Sequence, residues 1–219
     1  MKKSIKYIII AICIILIILL LYWFNKFYTI HKIENNLTKI SSLDNYSCTI
    51  KYNNTLVNDN DFTRYTSVNK MKFIEDSTGI KMAKYSDIEG YSFNNDTKEY
   101  LKLSRIEDID NQFEDSIFQN FKYAFNENGE NEQSYIYQFK LALKMKVKSE
   151  KYNGKECYAI SYKNADGYIL TLYIDKKELV KVAEKVDNED SIVYEWNFNI
   201  QNENNYNKEN LLNEYTSIN

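Results

Sequence analysis

The cysteines and the single histidine are the residues whose types most directly suggest chemistry. Cys48 and Cys157 lie outside the apolar N-terminal run, each in a segment with strand-like alternation, whereas Cys13 lies within the run. An oxidising exterior permits a disulfide between Cys48 and Cys157, and two buried free thiols are the alternative. Cysteine catalysis needs a base, and the only histidine, His31, belongs to a different element from both strand cysteines. The sequence therefore predicts no catalytic residue and no enzyme activity.

Carboxylates are the next candidates, and they are dense near the start of a predicted second helix. Acidic side chains are favoured there because the helix dipole is positive at its N-terminus, and this role accounts for Glu107, Asp108, Asp110, Glu114 and Asp115. Residues 58–61, Asn-Asp-Asn-Asp, resemble part of a calcium loop. They lack the glycine and glutamate that such a loop needs, so they are interpreted as a turn. We expect no metal site and no cofactor.

A lysine-rich segment is the third candidate. Apolar residues alternate with lysines over residues 139–148, which indicates a long amphipathic strand whose first half is also compatible with a helix. Its charged face carries Lys140, Lys144, Lys146 and Lys148. Such a face can bind anionic headgroups or a partner, but more often it is a solvated face that discourages edge pairing.

The element that locates all of these residues is an unbroken run of 18 apolar residues, residues 7–24. As a helix it spans about 27 Å, which matches the hydrocarbon core of a bilayer. Lys2, Lys3 and Lys6 precede it, so we expect a cytoplasmic N-terminus and an extracytoplasmic remainder. A cleaved signal peptide is the alternative, but the run is too long and lacks a small-residue cleavage site. Residues 1–25 are therefore predicted to be a cytoplasmic stub and signal-anchor of a single-pass cell-membrane protein.

Charge and composition narrow the class of partner. Three of the 28 basic residues and none of the 31 acidic residues precede the apolar run, so the remainder carries a net charge of −6. A mildly acidic domain argues against nucleic acid and against charge-driven adhesion to anionic lipids. The chain has no proline and five glycines, which excludes collagen and glycine-rich phosphate loops.

Hydrophobic periodicity predicts the elements of the first half. Apolar side chains recur at steps of three and four over residues 27–43, which predicts a helix that continues from the anchor. From Tyr46 to Tyr52 the period changes to two, which predicts a strand. Turn residues separate further strands, predicted at 62–74, 80–86, 89–94 and 97–103.

The second half begins with a predicted helix. Ser104 and Glu107 have the spacing of a capping box, which predicts a helix that continues to about residue 125. After the lysine-rich segment, strands are predicted at 155–163, 168–174, 179–186 and 191–200. The domain is expected to span residues 26–202. Residues 203–219 are expected to be a loose tail with a short helix near Leu211.

Taken together, these elements predict an α+β fold that is mostly antiparallel β. About ten strands in hairpin order can bury the two helical stripes only against one face of a curved sheet. We therefore expect an incomplete, strongly curved β-barrel covered by helices, behind an N-terminal transmembrane helix.

Five short segments follow the N-terminal helix of the outer part: NYS at 45–47, EGYSF at 89–93 followed by Tyr100, GKECYAI at 154–160, YIDKKE at 173–178 and YEWNF at 194–198. In these segments and their order, the outer part resembles the LolA-like family of lipoprotein carriers and their membrane-anchored Gram-positive relatives. The resemblance implies a half-barrel with an apolar cavity for acyl chains. It implies no individual ligand-binding residue.

The expected function is that of a membrane-anchored extracytoplasmic binding protein. The resemblance implies that the half-barrel cavity binds a lipid or a lipoprotein. The alternative is an envelope sensor or protein-interaction domain without a lipid ligand. The expected partners are the cell membrane and either an acyl lipid, a lipoprotein or an envelope protein, and not nucleic acid.

Overall fold

Four helices and twelve strands make up the part of the chain that this computed structural model describes, which is residues 2–52, 61–119, 121, 134–164, 166–198, 200 and 206–218. The helices are α1 (Lys2–Ser41), α2 (Glu107–Phe113), α3 (Tyr135–Lys144) and α4 (Lys208–Asn213), and a π-helical turn, Glu114–Phe118, extends α2. The strands are β1 (Asn45–Tyr52), β2 (Phe62–Val68), β3 (Met71–Asp76), β4 (Gly79–Ser86), β5 (Glu89–Asn94), β6 (Glu99–Lys102), β7 (Lys146–Tyr152), β8 (Lys155–Lys163), β9 (Ile169–Asp175), β10 (Lys181–Val186), β11 (Glu189–Asn197) and β12 (Thr216–Ser217).

All twelve strands belong to one sheet, in the order β12-β6-β5-β4-β3-β2-β1-β11-β10-β9-β8-β7. Neighbouring strands are antiparallel except β12, which lies parallel to β6. Hairpins explain most of this order, and the pairing of β1 with β11 joins the two halves of the chain. The two end strands of the order do not pair, so the sheet is open. The predicted α+β, mostly antiparallel, incomplete barrel is confirmed.

The helix α1 continues without a break from the apolar run into the domain, as predicted. It is long and apolar enough, by length and composition, to cross a membrane, and none of its most apolar window is buried. Burial begins at Lys26 and continues through Ile30, Ile33, Leu37 and Ile40. One face of α1 therefore changes from exposed to buried within two residues of the end of the apolar run.

Most strand predictions are confirmed to within three residues, namely those for β1, β4, β5, β6, β8, β9, β10 and β11. The prediction of one strand over 62–74 is wrong, because Asn69 and Lys70 form a two-residue turn between β2 and β3. Both residues have positive φ, 49° and 67°, as a tight hairpin turn with right-handed strand twist requires. A lysine at such a position gives no turn signal in the sequence.

The lysine-rich segment contains a helix and not one long strand. Ser134 caps α3 by accepting a hydrogen bond from the Ile136 backbone N–H. Tyr137, Leu141 and Met145 recur every four residues and are buried, so the apolar positions fit a helical period as well as an alternating one. The alternation is realised only from Lys146 onward, as β7.

The second helix is shorter than predicted and is not capped by Ser104. It begins at Glu107 after the helical residue Ile106, and no side chain caps it. A backbone hydrogen bond from the Ile109 N–H to the Ile106 carbonyl starts the helix instead. The π-helical turn then ends it at Phe118, within the span predicted to be regular α-helix.

Two core clusters lie between the helices α1–α3 and one face of the sheet, here called the helix-covered face. Nearest the apolar run, Ile30 and Ile33 of α1 pack with α3 and with β8 and β9. Further along α1, Leu37 and Ile40 pack with β1, α2 and the π-helical turn. A third cluster, which contains Phe73 and no α1 residue, lies on the opposite face, because the neighbour of Phe73 in β3, Ile74, belongs to the second cluster. The first two clusters are thus ordered along α1 away from the apolar run.

The C-terminal segment predicted to be a loose tail is folded over residues 206–218. Tyr206 and Leu211 are buried in the third cluster, and β12 pairs with β6. The short helix near Leu211 is present as α4, capped by Asn207. The loose-tail expectation fails here because two apolar residues that look isolated in an asparagine-rich segment meet the open apolar side of β3–β5.

The structure does not bring the two cysteines of the candidate disulfide together, and both are free and buried. Cys48 lies on β1 and Cys157 on β8, and three strands, β11, β10 and β9, lie between them. At about 4.8 Å per strand, the separation along the sheet is about 19 Å, whereas a disulfide needs Cα atoms within about 7 Å. Cys157 also faces away from Ile160, which lies on the helix-covered face with Cys48.

Candidate ligand-binding cavity

A cavity of about 340 Å³ lies on the helix-covered face, at the centre of the sheet. Small-molecule sites in proteins begin at about 300 Å³. The floor comes from β1, β8, β10 and β11, and the rim from the π-helical turn and the residue that follows it. The lining side chains are Ile50, Tyr52, Asp115, Ser116, Gln119, Tyr162, Lys181, Glu184, Ile192 and Tyr194.

Strand alternation explains why the floor residues meet. Ile50 pairs with Tyr194, and Tyr52 with Ile192, across β1 and β11. Glu184 of β10 pairs with Ile192 of β11 and therefore points to the same face. Only the long-range pairing of β1 with β11 places the N-terminal and C-terminal halves of the floor side by side.

Lys181 is the most unusual residue of the wall, since only 4% of its surface is exposed. Its ammonium lies 4.4 Å from the centre of the Tyr194 ring and 3.9 Å from a Glu184 carboxylate oxygen. Burial lowers the pKa of Lys181, and the nearby carboxylates oppose this shift only in part. Because the pairing with Glu184 is loose, the ammonium retains the capacity to donate to a bound acceptor.

Tyrosines form the aromatic part of the wall. Burial raises the pKa of Tyr194 and of Tyr52 above the ordinary value near 10, so their hydroxyls are neutral at physiological pH. The Tyr65 hydroxyl, just behind the rim, donates to the Ser116 hydroxyl at 2.8 Å. The cavity therefore offers flat apolar rings with neutral hydroxyl groups.

The rim supplies further polar atoms. Asp115 and Ser116 come from the π-helical turn, and Gln119 follows it. The Gln119 side-chain carbonyl oxygen is buried and has no hydrogen-bond partner within the described residues. A buried acceptor without a partner is costly and rare in folded proteins. A ligand that donates a hydrogen bond here would remove that cost.

Ion pairs hold α2 and its π-helical extension on the sheet. The Asp110 carboxylate accepts from the ammonium groups of Lys72 on β3 and Lys84 on β4, both at 2.7 Å. Partial burial alone would raise the pKa of Asp110, but the hydrogen bonds and charges of the two lysines outweigh it and hold the pKa below its usual range. Asp110 is one of the five carboxylates predicted to complement the helix dipole. Its contacts with the two lysines position the rim of the cavity.

Of the remaining sequence candidates, His31 lies away from the cavity lining. His31 shares a hydrogen bond of 2.7 Å with the Gln138 side chain, between α1 and α3. Residues 58–60 of the calcium-like turn lie outside the described residues. Within the described part of the chain, no group of three or more His, Cys, Asp or Glu residues could hold a metal ion.

Lys181, Glu184 and Tyr194 were not recognised from the sequence as candidate site residues. One signal was present, because Lys181 interrupts an apolar stretch between Val180 and Val182. A lysine between two buried valines must either point to solvent on the far face or be buried with a partner. The sequence pattern does not distinguish these cases.

Comparisons with known proteins give similarity to solved structures alone. No family model and no curated protein matches this sequence. The chain is similar to the complex structure of MucA and MucB from Pseudomonas aeruginosa, at 7% identity over 83% of this chain and 60% of that chain, with a TM-score of 0.35. It is similar to MucB in complex with MucA(peri), at 7% identity over 77% and 55% of the two chains, with a TM-score of 0.30.

A third similar structure is the LolA superfamily protein NE2245 from Nitrosomonas europaea, at 9% identity and with a TM-score of 0.26. The match covers 82% of this chain and 97% of that one. The chain thus spans 60% or less of each MucB-containing match and nearly all of NE2245.

Proposed function

We propose that this protein is a membrane-anchored extracytoplasmic binding domain whose cavity takes a small amphipathic ligand of the lipid class. The observation that carries the proposal is the composition of the cavity wall. Ile50, Ile192 and three tyrosines offer apolar surface, while Lys181 and the rim offer hydrogen-bonding groups. A ligand with an apolar body and a polar end satisfies both.

The charges of the wall restrict the polar end. One lysine, Lys181, faces two carboxylates, Glu184 and Asp115, so the wall carries a formal charge of −1. A ligand with a net negative head would meet this charge in a poorly screened site. The polar end is therefore neutral or zwitterionic and both donates and accepts hydrogen bonds. A bare acyl chain would leave the Gln119 carbonyl oxygen and the Lys181 ammonium without new partners.

We expect the site to bind without catalysing a reaction. Ser116, the hydroxyl nucleophile in the lining, accepts its hydrogen bond from Tyr65. Burial raises the pKa of Tyr65, so this phenol is protonated at neutral pH and cannot act as the base that a serine nucleophile needs.

Adjacent residues of β11 provide a matched test. Ile192 lines the cavity, and its neighbour Val193 points to the opposite face; both are half-buried. The full chain is purified from membranes in a mild detergent and examined by native mass spectrometry. We expect a lipid-mass adduct on the parent protein and on Val193→Trp, and at least a tenfold lower occupancy on Ile192→Trp, whose indole fills the cavity.

Two results would contradict the proposal. Absence of any adduct on the parent would remove the lipid ligand and favour the protein-interaction alternative, for which the charged, amide and hydroxyl side chains of the wall supply the contacts. Equal occupancy in both tryptophan variants would place the lipid outside the cavity.

A further inference from the structure

The helix α3 has a second apolar face, which the described residues leave at least half exposed. Four of its ten residues are apolar and at least half exposed: Tyr135 (67%), Ile136 (71%), Phe139 (52%) and Leu143 (50%). At 100° per residue these positions fall within about 100° of one another, so they form one continuous stripe. We call this stripe the outer face of α3.

The outer face is distinct from the face that α3 uses for folding. The core-facing residues Tyr137, Gln138, Leu141 and Ala142 pack against α1 and the sheet. The outer face therefore adds nothing to the hydrophobic core. Large apolar side chains left in a contiguous exposed stripe usually mark an interaction surface.

Ring contacts with α1 establish where the outer face lies along the membrane anchor. The Phe27 ring centre lies 6.3 Å from that of Tyr135 and 6.4 Å from that of Phe139. Phe27 follows the last residue of the apolar run, Phe24, by three positions, which is about 4.5 Å of helix. The outer face is therefore level with the point at which α1 leaves the apolar run.

The outer face also continues laterally onto α1. Phe24 and Tyr28 are 67% and 56% exposed, and they share a side of α1 with Phe27. Aromatic side chains at this level are typical of the headgroup region of a bilayer. The apolar surface of the anchor thus meets that of α3 at the Phe27 ring.

We propose that the outer face of α3 inserts into the membrane that α1 spans, so that two elements and not one attach the domain to the bilayer. The occupant of the outer face is the lipid surface, because the face adjoins the lipid-facing surface of the anchor. It is level with the point at which α1 leaves the bilayer. Insertion is driven by apolar burial, as for interfacial amphipathic helices whose apolar side sinks about 5–10 Å into the headgroup and acyl boundary. This inference rests on the membrane anchor of the proposed function and is independent of the cavity.

Lipid quenching of tryptophan tests the proposal in the full chain, reconstituted as one chain per phosphatidylcholine nanodisc. Phe139→Trp and Ile136→Trp place probes on the outer face. Ile88→Trp is the control, because Ile88 is 84% exposed in the turn between β4 and β5, beside the cluster that contains no α1 residue. All three variants carry Trp23→Phe, and Trp196 contributes equally to each.

We expect phosphatidylcholine brominated high on its acyl chains to lower the emission of the two outer-face probes about twofold, a depth consistent with interfacial insertion. The Ile88→Trp emission should not change. If brominated lipid lowers the emission of the outer-face probes no more than that of the control probe, the proposal is overturned. A second copy of the chain or another protein on the outer face would give this result.

Quenching of Trp23 emission in the parent protein distinguishes a wrong inference about α3 from a wrong assignment of the membrane anchor. If Trp23 is quenched and the two outer-face probes are not, the inference about α3 is wrong and the anchor stands. If Trp23 is also unquenched, α1 does not lie in the bilayer, and both proposals are overturned.

Discussion

A single buried ammonium governs the electrostatics of the cavity. Lys181 has its aliphatic stem in the core, its charge over the Tyr194 ring, and one loose carboxylate partner in Glu184. Its backbone carbonyl also accepts from the Trp196 indole at 2.8 Å, which ties β10 to β11 beneath the cavity. We expect Lys181 to destabilise the folded protein, since burial of an incompletely paired charge is unfavourable.

Replacing Lys181 and Glu184 together with methionine tests this cost. We expect the double variant Lys181→Met/Glu184→Met to raise the free energy of unfolding at pH 7 by about 1–2 kcal/mol, since apolar side chains of similar length avoid desolvation of both charges. Because burial lowers the folded-state pKa of Lys181 below the ordinary value of 10.5, the unfolded chain binds more protons between these two values, and the parent gains stability as pH rises through them. The advantage of the variant should therefore shrink toward pH 10.5.

Urea unfolding of the full chain in detergent, followed by tryptophan emission between pH 7 and 10, gives both quantities. Lys163→Met, an exposed position on β8, is the control for the loss of a lysine at the protein surface. A double variant less stable than the parent at pH 7 would mean that the contacts of Lys181 with Glu184 and Tyr194 fully compensate the buried charges.

At the scale of elements, α2 and its π-helical turn act as a rim fixed by charge and by apolar packing. Ile109, Phe113, Ile117 and Phe118 anchor it to the core, and Asp110 joins it to β3 and β4. The rim carries Asp115 and Ser116 of the cavity. Its position therefore controls access to the site.

The variant Asp110→Asn tests the charged contact. Asp110 is 35% exposed, so solvent screening limits the loss of unfolding free energy to about 1 kcal/mol. The control Asp108→Asn, on the same helix and outside this ion-pair cluster, should lose no more than about 0.5 kcal/mol, the helix-dipole contribution. Equal losses, measured by urea unfolding at pH 7, would show that the dipole and not the lysine contacts accounts for the effect.

Asp110 also predicts that the stability of the protein decreases at acidic pH. Because the folded-state pKa of Asp110 lies below the ordinary value near 3.8, its contribution is complete above that value and is lost as the pH falls through the folded-state pKa. The parent and Asp110→Asn should therefore converge in stability only below about pH 4.

At the scale of the whole molecule, the sheet order determines which residues can meet. The pairing of β1 with β11 assembles the cavity and separates the strand cysteines. Along α1, the molecule is layered from the apolar run through α3 and the first core cluster to the cavity and α2, and the cluster closed by α4 lies on the opposite face of the sheet.

Alkylation of the full chain without reductant checks the sheet order. We expect Cys48 and Cys157 to resist iodoacetamide in the folded protein because both are fully buried, and burial raises the pKa of both thiols. In denaturant without reductant, all three cysteines should label, since each is free. A single label that becomes three after reduction would reveal a disulfide and contradict the order of the strands.

The sequence by itself determined the features that depend on neighbours along the chain. The apolar run, the helix that continues from it, and the hairpin strands are all local patterns, and an open antiparallel sheet behind a long helix follows from their order. The sequence did not determine the secondary structure of segments whose apolar positions fit both a helical and an alternating period. Residues 135–144 became a helix because their buried side chains meet α1 as well as the sheet.

Only the tertiary structure decided what lies in the site. Lys181 and Tyr194 meet Ile50 across more than 100 residues of chain, through strand pairing that no local pattern specifies. The same long-range pairing keeps Cys48 and Cys157 apart and gives residues 206–218 an apolar surface on which to fold. Local hydrophobic patterns specify which face of a strand is buried, and only the packing of distant elements specifies what each buried side chain touches.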